Sequence, residues 1–191
     1  MQGQRATVFF ITMVVFLAGC ISKEDPLLNE EAVEENEPIA VLFPSWQGLD
    51  HTNSTFTGEM WNQTSYVAYF SAPWCAHCES TINAYDQVIP AERMIVFSME
   101  SSEDYANMSD WHNRTETNLN RTIDRPFILN PELATDVGVK SIPTVVFINE
   151  QGYNYHLKVG KETNLTTIQG MWDITQQAFF DPVLGWNQTM P

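Results

Sequence analysis

Basic residues are scarce in this chain. Its 191 residues include nine Lys and Arg but 24 Asp and Glu, which leaves a formal net charge of −15. Contacts to phosphate groups need Lys and Arg, so this balance argues against a protein that binds nucleic acid. The acidic residues are spread along the chain, which is typical of a solvated surface.

Cysteine is also rare, with three residues in the whole chain. Cys75 and Cys78 form a C-x-x-C pair, and Cys20 lies far from them in the sequence. A structural zinc site needs a second pair of ligands at short spacing. We therefore expect neither a metal nor another cofactor, and the redox group of the chain would be the Cys75–Cys78 disulfide itself.

Three histidines outside the cysteine motif do not supply a second pair of zinc ligands. His51, His112 and His156 stand alone in the sequence. We expect each of them to be a surface or core side chain, since imidazole is common in both places and a metal ligand needs partners.

The longest apolar run is too short to span a membrane. It covers residues 6–18, is interrupted by two threonines and follows Arg5. Together these features predict a secretory signal over residues 1–19. The run ends in Leu-Ala-Gly-Cys, residues 17–20, which resembles the lipobox of prokaryotic lipoproteins. That resemblance implies cleavage before Cys20 and lipid on its thiol and new N-terminus; the alternative is an ordinary signal with a chance cysteine.

An acidic segment follows the signal. Residues 20–38 carry seven acidic side chains against Lys23 and have no apolar period, which predicts a disordered linker extended by self-repulsion. Residues 39–181 remain for one folded domain, long enough to bury a core. We assign residues 182–191 to a C-terminal tail.

The cysteine pair lies where a strand gives way to a helix. The run 66–70 predicts a buried strand, and apolar residues recur at helical spacing to about residue 88. Unpaired N–H groups and the helix dipole favour an anion there, and C-x-x-C thiols at such sites have a pKa of roughly 3.5–7.5 instead of about 8.5. The position predicts Cys75 as the nucleophile and Cys78 as the resolving thiol.

Two fragments resemble a known superfamily. A-P-W-C-A-H-C, residues 72–78, resembles the active site of protein disulfide isomerase domains and, more loosely, of thioredoxins. Ser-Ile-Pro-Thr, residues 141–144, resembles the segment that supplies a cis-proline facing the cysteines in thioredoxin-like folds. The resemblance implies that Trp74 and the Ile142–Pro143 edge form an apolar wall for an extended substrate. It also implies that His77 stabilises the Cys75 thiolate and makes the disulfide more oxidising.

The other apolar runs predict alternating strands and helices. Predicted strands are 39–43, 94–99, 127–129, 143–148 and 153–159, and predicted helices are about 75–88, 105–111, 131–137 (ended by Gly138) and 164–179. Residues 44–65 indicate either a short helix or a hairpin. This order predicts an α/β thioredoxin fold, a central mixed β-sheet with helices on both faces. Cys75 and Pro143 are 68 positions apart, which resembles the TlpA-like membrane-tethered reductases, with a helix and strand inserted before the cis-proline strand.

One position departs from the superfamily pattern. Thioredoxins and isomerase domains have an acid six residues before the first cysteine, which accepts the proton of the buried thiol. Here that residue is Tyr69. Either Cys78 loses its proton through water or another carboxylate, or resolution is slow. Glu79 is adjacent, but we expect it to point outward.

Seven N-x-S/T sequons fit an exported chain. Their asparagines are Asn53, Asn62, Asn107, Asn113, Asn120, Asn164 and Asn187. An Asn- and Thr-rich sequence also produces such triplets by chance, so glycosylation depends on the host.

These observations predict a membrane-anchored, extracytoplasmic thiol–disulfide oxidoreductase. Its partners would be exported substrate proteins, a membrane redox donor or acceptor, and the lipid membrane through Cys20. One alternative is a copper carrier, although carriers of this fold use a wider C-x-x-x-C with a distant His. Another is a non-catalytic interaction protein, which would be expected to have lost a cysteine.

Overall fold

The computed structural model describes residues 40–187. The predicted signal, Cys20 and the acidic linker lie outside the described residues. Within 40–187, no helix is both long enough and apolar enough to cross a membrane.

The fold is built from nine strands and four α-helices within the described residues. The strands are β1 (Gln47–Leu49), β2 (Thr55–Thr57), β3 (Tyr66–Ser71), β4 (Met94–Ser98), β5 (Phe127–Leu129), β6 (Thr144–Ile148), β7 (Asn154–Val159), β8 (Phe180–Asp181) and β9 (Gly185–Trp186). The helices are α1 (Ala76–Asp86), α2 (Tyr105–Leu119), α3 (Pro131–Val137) and α4 (Leu165–Gln177). Short 3₁₀ turns occupy Gly58–Trp61 and Ala91–Arg93.

Five strands form the central mixed sheet, in the order β5-β4-β3-β6-β7. β4 is parallel to β3 and β5, whereas β6 is antiparallel to β3 and β7. The two strands that the cysteine pair and Pro143 adjoin, β3 and β6, are therefore neighbours at the centre. This arrangement confirms the predicted fold class.

Alternate residues of β3 pack in two separate hydrophobic cores, because successive side chains of a strand point to opposite faces of the sheet. Val67 and Tyr69 join a cluster with residues of α1, α2 and α4, while Ala68 and Phe70 join a cluster with α3. Helices thus cover both faces of the sheet. The complete burial of β3 explains its continuous apolar run.

The first predicted strand is wrong. In residues 40–43, only Leu42 forms an isolated bridge, to Tyr153, and Val41 and Leu42 are exposed. The segment runs past the β6–β7 turn, and Pro44 then interrupts it. The first strand is instead β1, which forms a hairpin with β2; a 3₁₀ turn follows, so residues 44–65 contain both of the structures considered.

Helix α2 is twice as long as the sequence predicts. Its ends are capped by Asp104, whose side chain accepts a hydrogen bond from the Asn107 N–H, and by Asn120 in the left-handed conformation. Its buried stripe continues beyond Trp111 to Thr115. These buried positions are polar as well as apolar, and the helical period is therefore weak in the sequence.

The C-terminal residues form a small hairpin, β8–β9. The ring centroid of Trp186 lies 5.0 Å from that of Tyr155 and 5.2 Å from that of Phe180. Residues 182–187, which the sequence assigned to a tail, therefore belong to a structured hairpin that packs on β7.

Candidate active site

The cysteine pair lies at the junction between β3 and α1. A turn joins them, in which the Cys75 N–H donates to the Ala72 carbonyl (3.1 Å). Cys75 is the residue that precedes the first turn of α1. Its side chain therefore stands beside backbone N–H groups that the helix leaves unpaired.

Cys75 and Cys78 form a disulfide with an S–S distance of 2.04 Å. Their exposure differs: Cys75 is half-buried, whereas Cys78 is 1% exposed. An attacking thiol can therefore reach Cys75 more easily than Cys78. This difference fits the roles predicted from the sequence, an outer nucleophile and an inner resolving thiol.

Pro143 lies at the same end of the sheet as the cysteine pair. The peptide bond between Ile142 and Pro143 is cis, as the motif predicts. The register pairs Phe70 with Thr144, so Pro143 follows on beside Ser71 at the end of β3. Pro143 is buried and Ile142 is half-buried. The fold thus brings together two motifs that are far apart in the sequence.

Trp74 is the most exposed aromatic side chain at this end of the molecule, with 64% of its surface in solvent. Its indole Nε1 donates a hydrogen bond to Oε2 of Glu100 (3.0 Å). This hydrogen bond, together with those from the N–H and hydroxyl of Ser102, lowers the pKa of Glu100. A tethered, exposed indole beside Cys75 is a surface that a substrate can contact.

His77 lies on the solvent side of the first turn of α1. Its backbone carbonyl accepts hydrogen bonds from Ser80 Oγ (3.1 Å) and Thr81 Oγ1 (3.3 Å). The imidazole directly precedes Cys78 in the sequence. It is exposed to solvent, so a substrate can contact it.

Tyr69 fills the buried position at which the superfamily has an acid. It is fully buried, and its hydroxyl donates to the backbone carbonyl of Cys78 (3.0 Å). Burial raises the pKa of Tyr69 well above 10. The phenol therefore stays protonated and acts as a structural donor, not as a base.

Glu79 takes part in a contact between helices. Its Oε1 accepts a hydrogen bond from Nδ2 of Asn118 on α2 (2.9 Å), at the molecular surface. This placement agrees with the expected outward direction of the side chain.

Sequence reasoning missed Arg114. Its Nη2 donates to the backbone carbonyl of Pro73 (2.7 Å), two residues before Cys75. A side chain that binds a backbone carbonyl 41 positions away leaves no pattern in the sequence, so no signal could have identified it.

Two histidines that are far apart in the sequence, His51 and His112, are neighbours in the fold; His112 is buried and His51 half-buried, which agrees with the predicted surface or core placement. The rings of His51 and His112 stack with a centroid distance of 3.8 Å. His112 Nε2 lies 2.8 Å from the Ile123 carbonyl, and His51 Nδ1 accepts from the Phe127 N–H (3.3 Å). His156 contacts Phe147 from β7, at the opposite edge of the sheet from β5. Among residues 40–187, no three His, Cys, Asp or Glu side chains converge as metal ligands would.

All seven sequon asparagines are exposed: Asn53, Asn62, Asn107, Asn113, Asn120, Asn164 and Asn187. Besides Asn120, which caps α2, two of them have other structural roles. The Asn164 side chain accepts from the N–H groups of Thr166 and Thr167 at the start of α4, and Asn187 Nδ2 donates to the Gln177 carbonyl (2.8 Å). Glycosylation of these residues stays a prediction.

Comparison with known proteins identifies the fold. No protein-family model matches the chain, and no curated protein matches it. Several solved structures, however, match the chain. A thiol:disulfide interchange protein of the thioredoxin family from Chlorobium tepidum is 19% identical with a TM-score of 0.58, over 72% of this chain and 97% of that one.

Two further crystal structures are similar. One is an exposed lipoprotein thioredoxin from Streptococcus pneumoniae (17% identity, TM-score 0.51, 66% of this chain and 99% of that one). The other is a secreted disulfide oxidoreductase from Mycobacterium tuberculosis (16% identity, TM-score 0.52, 68% of this chain and 95% of that one). The chain described here has the thioredoxin fold.

Proposed function

We propose that this protein is a thiol–disulfide oxidoreductase that acts on exported proteins through Cys75 and Cys78. The observation that carries the proposal is the disulfide at the start of α1, beside Pro143, with one accessible and one buried sulfur. The similar structures from C. tepidum and M. tuberculosis are described as a thiol:disulfide interchange protein and a disulfide oxidoreductase, which supports the same chemistry here.

In the reducing direction, the Cys75 thiolate attacks a substrate disulfide. A bond forms between Cys75 Sγ and one substrate sulfur, and the other substrate sulfur leaves as a thiolate. Cys78, once deprotonated, attacks Cys75 Sγ, closes the intramolecular disulfide and releases the second substrate thiolate. The substrate gains two electrons and the cysteine pair loses two.

In the oxidising direction, a substrate thiolate attacks Cys75 Sγ and Cys78 leaves as a thiolate. A second substrate thiolate then attacks the substrate sulfur of the mixed disulfide and releases Cys75. The exposed Trp74 and the Ile142–Pro143 edge would hold the extended substrate during either sequence, with main-chain pairing of the kind that an added strand makes.

Reduction of insulin disulfides by dithiothreitol, which supplies the electrons, tests the activity. Wild-type protein should accelerate the reaction, and Cys75→Ser should abolish this acceleration because the attacking sulfur is lost. Reduced Cys78→Ser, mixed with the substrate in the absence of dithiothreitol, should accumulate a mixed disulfide, since no second protein thiol resolves it. Parallel titrations with copper and zinc provide the comparison: tight metal binding without insulin reduction would favour the metal-carrier alternative and contradict the proposal.

We expect the couple to be relatively oxidising because His77 occupies the position at which isomerases also have His. Couples of that kind lie near −180 to −120 mV, compared with about −270 mV for thioredoxin. A potential above about −200 mV would indicate an oxidase or isomerase, and one below about −250 mV a reductase that needs a membrane electron donor. His77→Pro should lower the potential, and an unchanged glutathione equilibrium in this variant would refute the role of His77.

Lipid anchoring through Cys20 forms the second part of the proposal. The lipobox-like residues 17–20 support it, as does the similarity to an exposed lipoprotein thioredoxin. A single acyl chain anchors a protein weakly, whereas two or more chains hold it stably at a membrane. In a bacterial host, the full chain should fractionate with membranes and incorporate labelled palmitate, whereas Cys20→Ser should incorporate none, whether it is released or retained as precursor; palmitate on the variant would contradict the anchor.

A further inference from the structure

Helix α2 contacts α1 through a row of polar side chains. Besides the Arg114–Pro73 hydrogen bond, Asn118 donates to Glu79, and Arg121 Nη1 donates to Asn83 Oδ1 (3.3 Å). Residues 114 and 118 are one turn apart on α2, residues 79 and 83 are one turn apart on α1, and Arg121 follows just beyond the end of α2. The row therefore places Arg114 at the end of α1 that begins with the cysteine pair.

Arg114 brings a positive charge close to the nucleophilic sulfur. Its guanidinium is bound to the carbonyl of Pro73, and the Cα atoms of residues 73 and 75 are at most about 7 Å apart, because a chain extends by no more than ~3.6 Å per residue. A nearby cation favours the thiolate form of a cysteine. The same contact fixes the backbone of the loop that presents Cys75.

Glu100 brings a negative charge to Trp74, the residue that follows Pro73 in the loop. Its carboxylate accepts the hydrogen bond from Trp74, directly before Cys75. An anion near a cysteine disfavours its thiolate. The cysteine loop is thus held between a cation bound to residue 73 and an anion bound to residue 74.

We propose that Arg114 is a positioning residue whose charge favours reduced Cys75, and that the charge of Glu100 opposes it. The inference rests on the proposed thiol–disulfide exchange. The reaction that reports it is the equilibrium with glutathione: two glutathione thiols lose two electrons and form glutathione disulfide, while the Cys75–Cys78 bond breaks to give the dithiol. A stabilised Cys75 thiolate moves this equilibrium toward reduced protein.

Arg114→Gln removes the charge and keeps a donor for the Pro73 carbonyl. We expect its glutathione equilibrium constant to move roughly two- to fivefold toward the disulfide, the size typical of exposed charge pairs. For a two-electron couple this corresponds to a potential about 9–21 mV lower. The pKa of the Cys75 thiol in the reduced variant, followed by thiolate absorbance, should rise, and Glu100→Gln should shift both quantities in the opposite sense.

Arg121→Gln is the matched control. It removes the same charge from the same row, but Arg121 binds Asp86 at the far end of α1, about 15 Å from its first residue at ~1.5 Å per residue. That distance exceeds the Debye length of about 10 Å at 0.1 M salt, so this variant should leave the equilibrium unchanged.

Ionic strength separates charge from loop geometry. The difference between wild type and Arg114→Gln should shrink as salt rises from about 0.1 to 1 M, because the Debye length falls to about 3 Å. Circular dichroism verifies that each variant is folded. Wild-type protein that does not equilibrate with glutathione would refute the proposed function. Wild-type exchange with an Arg114→Gln shift that is absent, insensitive to salt, or equal to that of Arg121→Gln would refute this inference alone.

Discussion

At the scale of single residues, the feature that departs furthest from thioredoxins and isomerase domains is Tyr69. A carboxylate at this position could accept the proton of the buried cysteine. The Tyr69 hydroxyl instead donates to the Cys78 carbonyl, and burial raises its pKa well above 10. Deprotonation of Cys78 must therefore proceed through another acceptor.

Tyr69→Phe should separate structure from proton transfer. Loss of the hydroxyl removes one buried hydrogen bond, so the free energy of unfolding should fall by about 1 kcal/mol in urea denaturation. The rate at which Cys78 resolves a Cys75–glutathione mixed disulfide should stay within about twofold, because a protonated phenol accepts no proton. Tyr69→Asp serves as the comparison and should speed resolution while costing more stability, since it buries a carboxylate. A tenfold slower Tyr69→Phe would indicate that the phenol takes part after all.

The sequence predicted the two cysteine roles and the cis bond before Pro143 because each belongs to a short motif. It did not predict the partners that hold the loop. Trp74 is part of the cysteine motif, whereas nothing in the sequence points to its hydrogen-bond acceptor Glu100 or to Arg114. Both contacts join residues distant in sequence through one hydrogen bond, and a single chain holds no record of such a pairing.

At the scale of elements, the predicted bounds match the observed ones best where the element is completely buried. Strands β3, β4 and β6 are buried along their whole length, so their apolar runs predicted them within a residue of their ends. Helix α2 was predicted too short because His112 and Thr115, on its buried stripe, are polar. The false strand at 39–43 is an apolar run in which Val41 and Leu42 are exposed, and composition alone cannot distinguish such a run from a buried one.

The contact between α2 and the β1–β2 hairpin depends on the stacked pair His51 and His112. Burial, and secondarily the nearby His112, lowers the pKa of His51 below its ordinary value of 6.5, against weaker opposing effects of Asp50 and Glu116. The native state therefore binds fewer protons than the unfolded chain as the pH falls. Stability from this site is complete above pH 6.5 and is lost below it.

The free energy of unfolding should consequently fall between pH 7.5 and pH 5.5, by no more than about 1.4 kcal/mol per pH unit for one proton. His51→Phe should be less stable at the higher pH, because the Phe127 N–H loses its acceptor, but its stability should decline less on acidification. His156→Gln is the matched variant and removes a second histidine whose pKa burial lowers, leaving the His51 contribution intact. Equal pH slopes for wild type and His51→Phe in urea titrations would contradict the assignment.

At the scale of the whole molecule, the acidic excess of residues 40–187, with 17 Asp and Glu against seven Lys and Arg, is a cost to the compact state, because folding brings like charges together. Buried ion pairs offset little of it. Asp86, for example, is bound by Arg121 and Arg125 at the end of α1, and salt screens this partly buried network weakly. Nine of the 17 acidic side chains among residues 40–187 are instead exposed to solvent, where their repulsion depends on ionic strength.

Thermal stability should therefore rise with sodium chloride. Between about 0.1 and 1 M salt the Debye length falls from ~10 to ~3 Å, so repulsion among exposed carboxylates is largely screened. We expect the melting temperature to increase by several degrees, given that about 1 kcal/mol corresponds to ~2–4 °C for a chain of this size.

A triple variant tests whether charge is the cause. Asp110, Asp124 and Asp136 are exposed, and replacing all three by Asn removes three negative charges. This variant should melt at a higher temperature than wild type in low salt and respond less to added salt. The same positions changed to Glu keep the charge and should behave like wild type. A salt response that is identical in all three proteins would mean that ion exclusion, and not screening of repulsion, stabilises the fold, because exclusion acts on surface regardless of its charge.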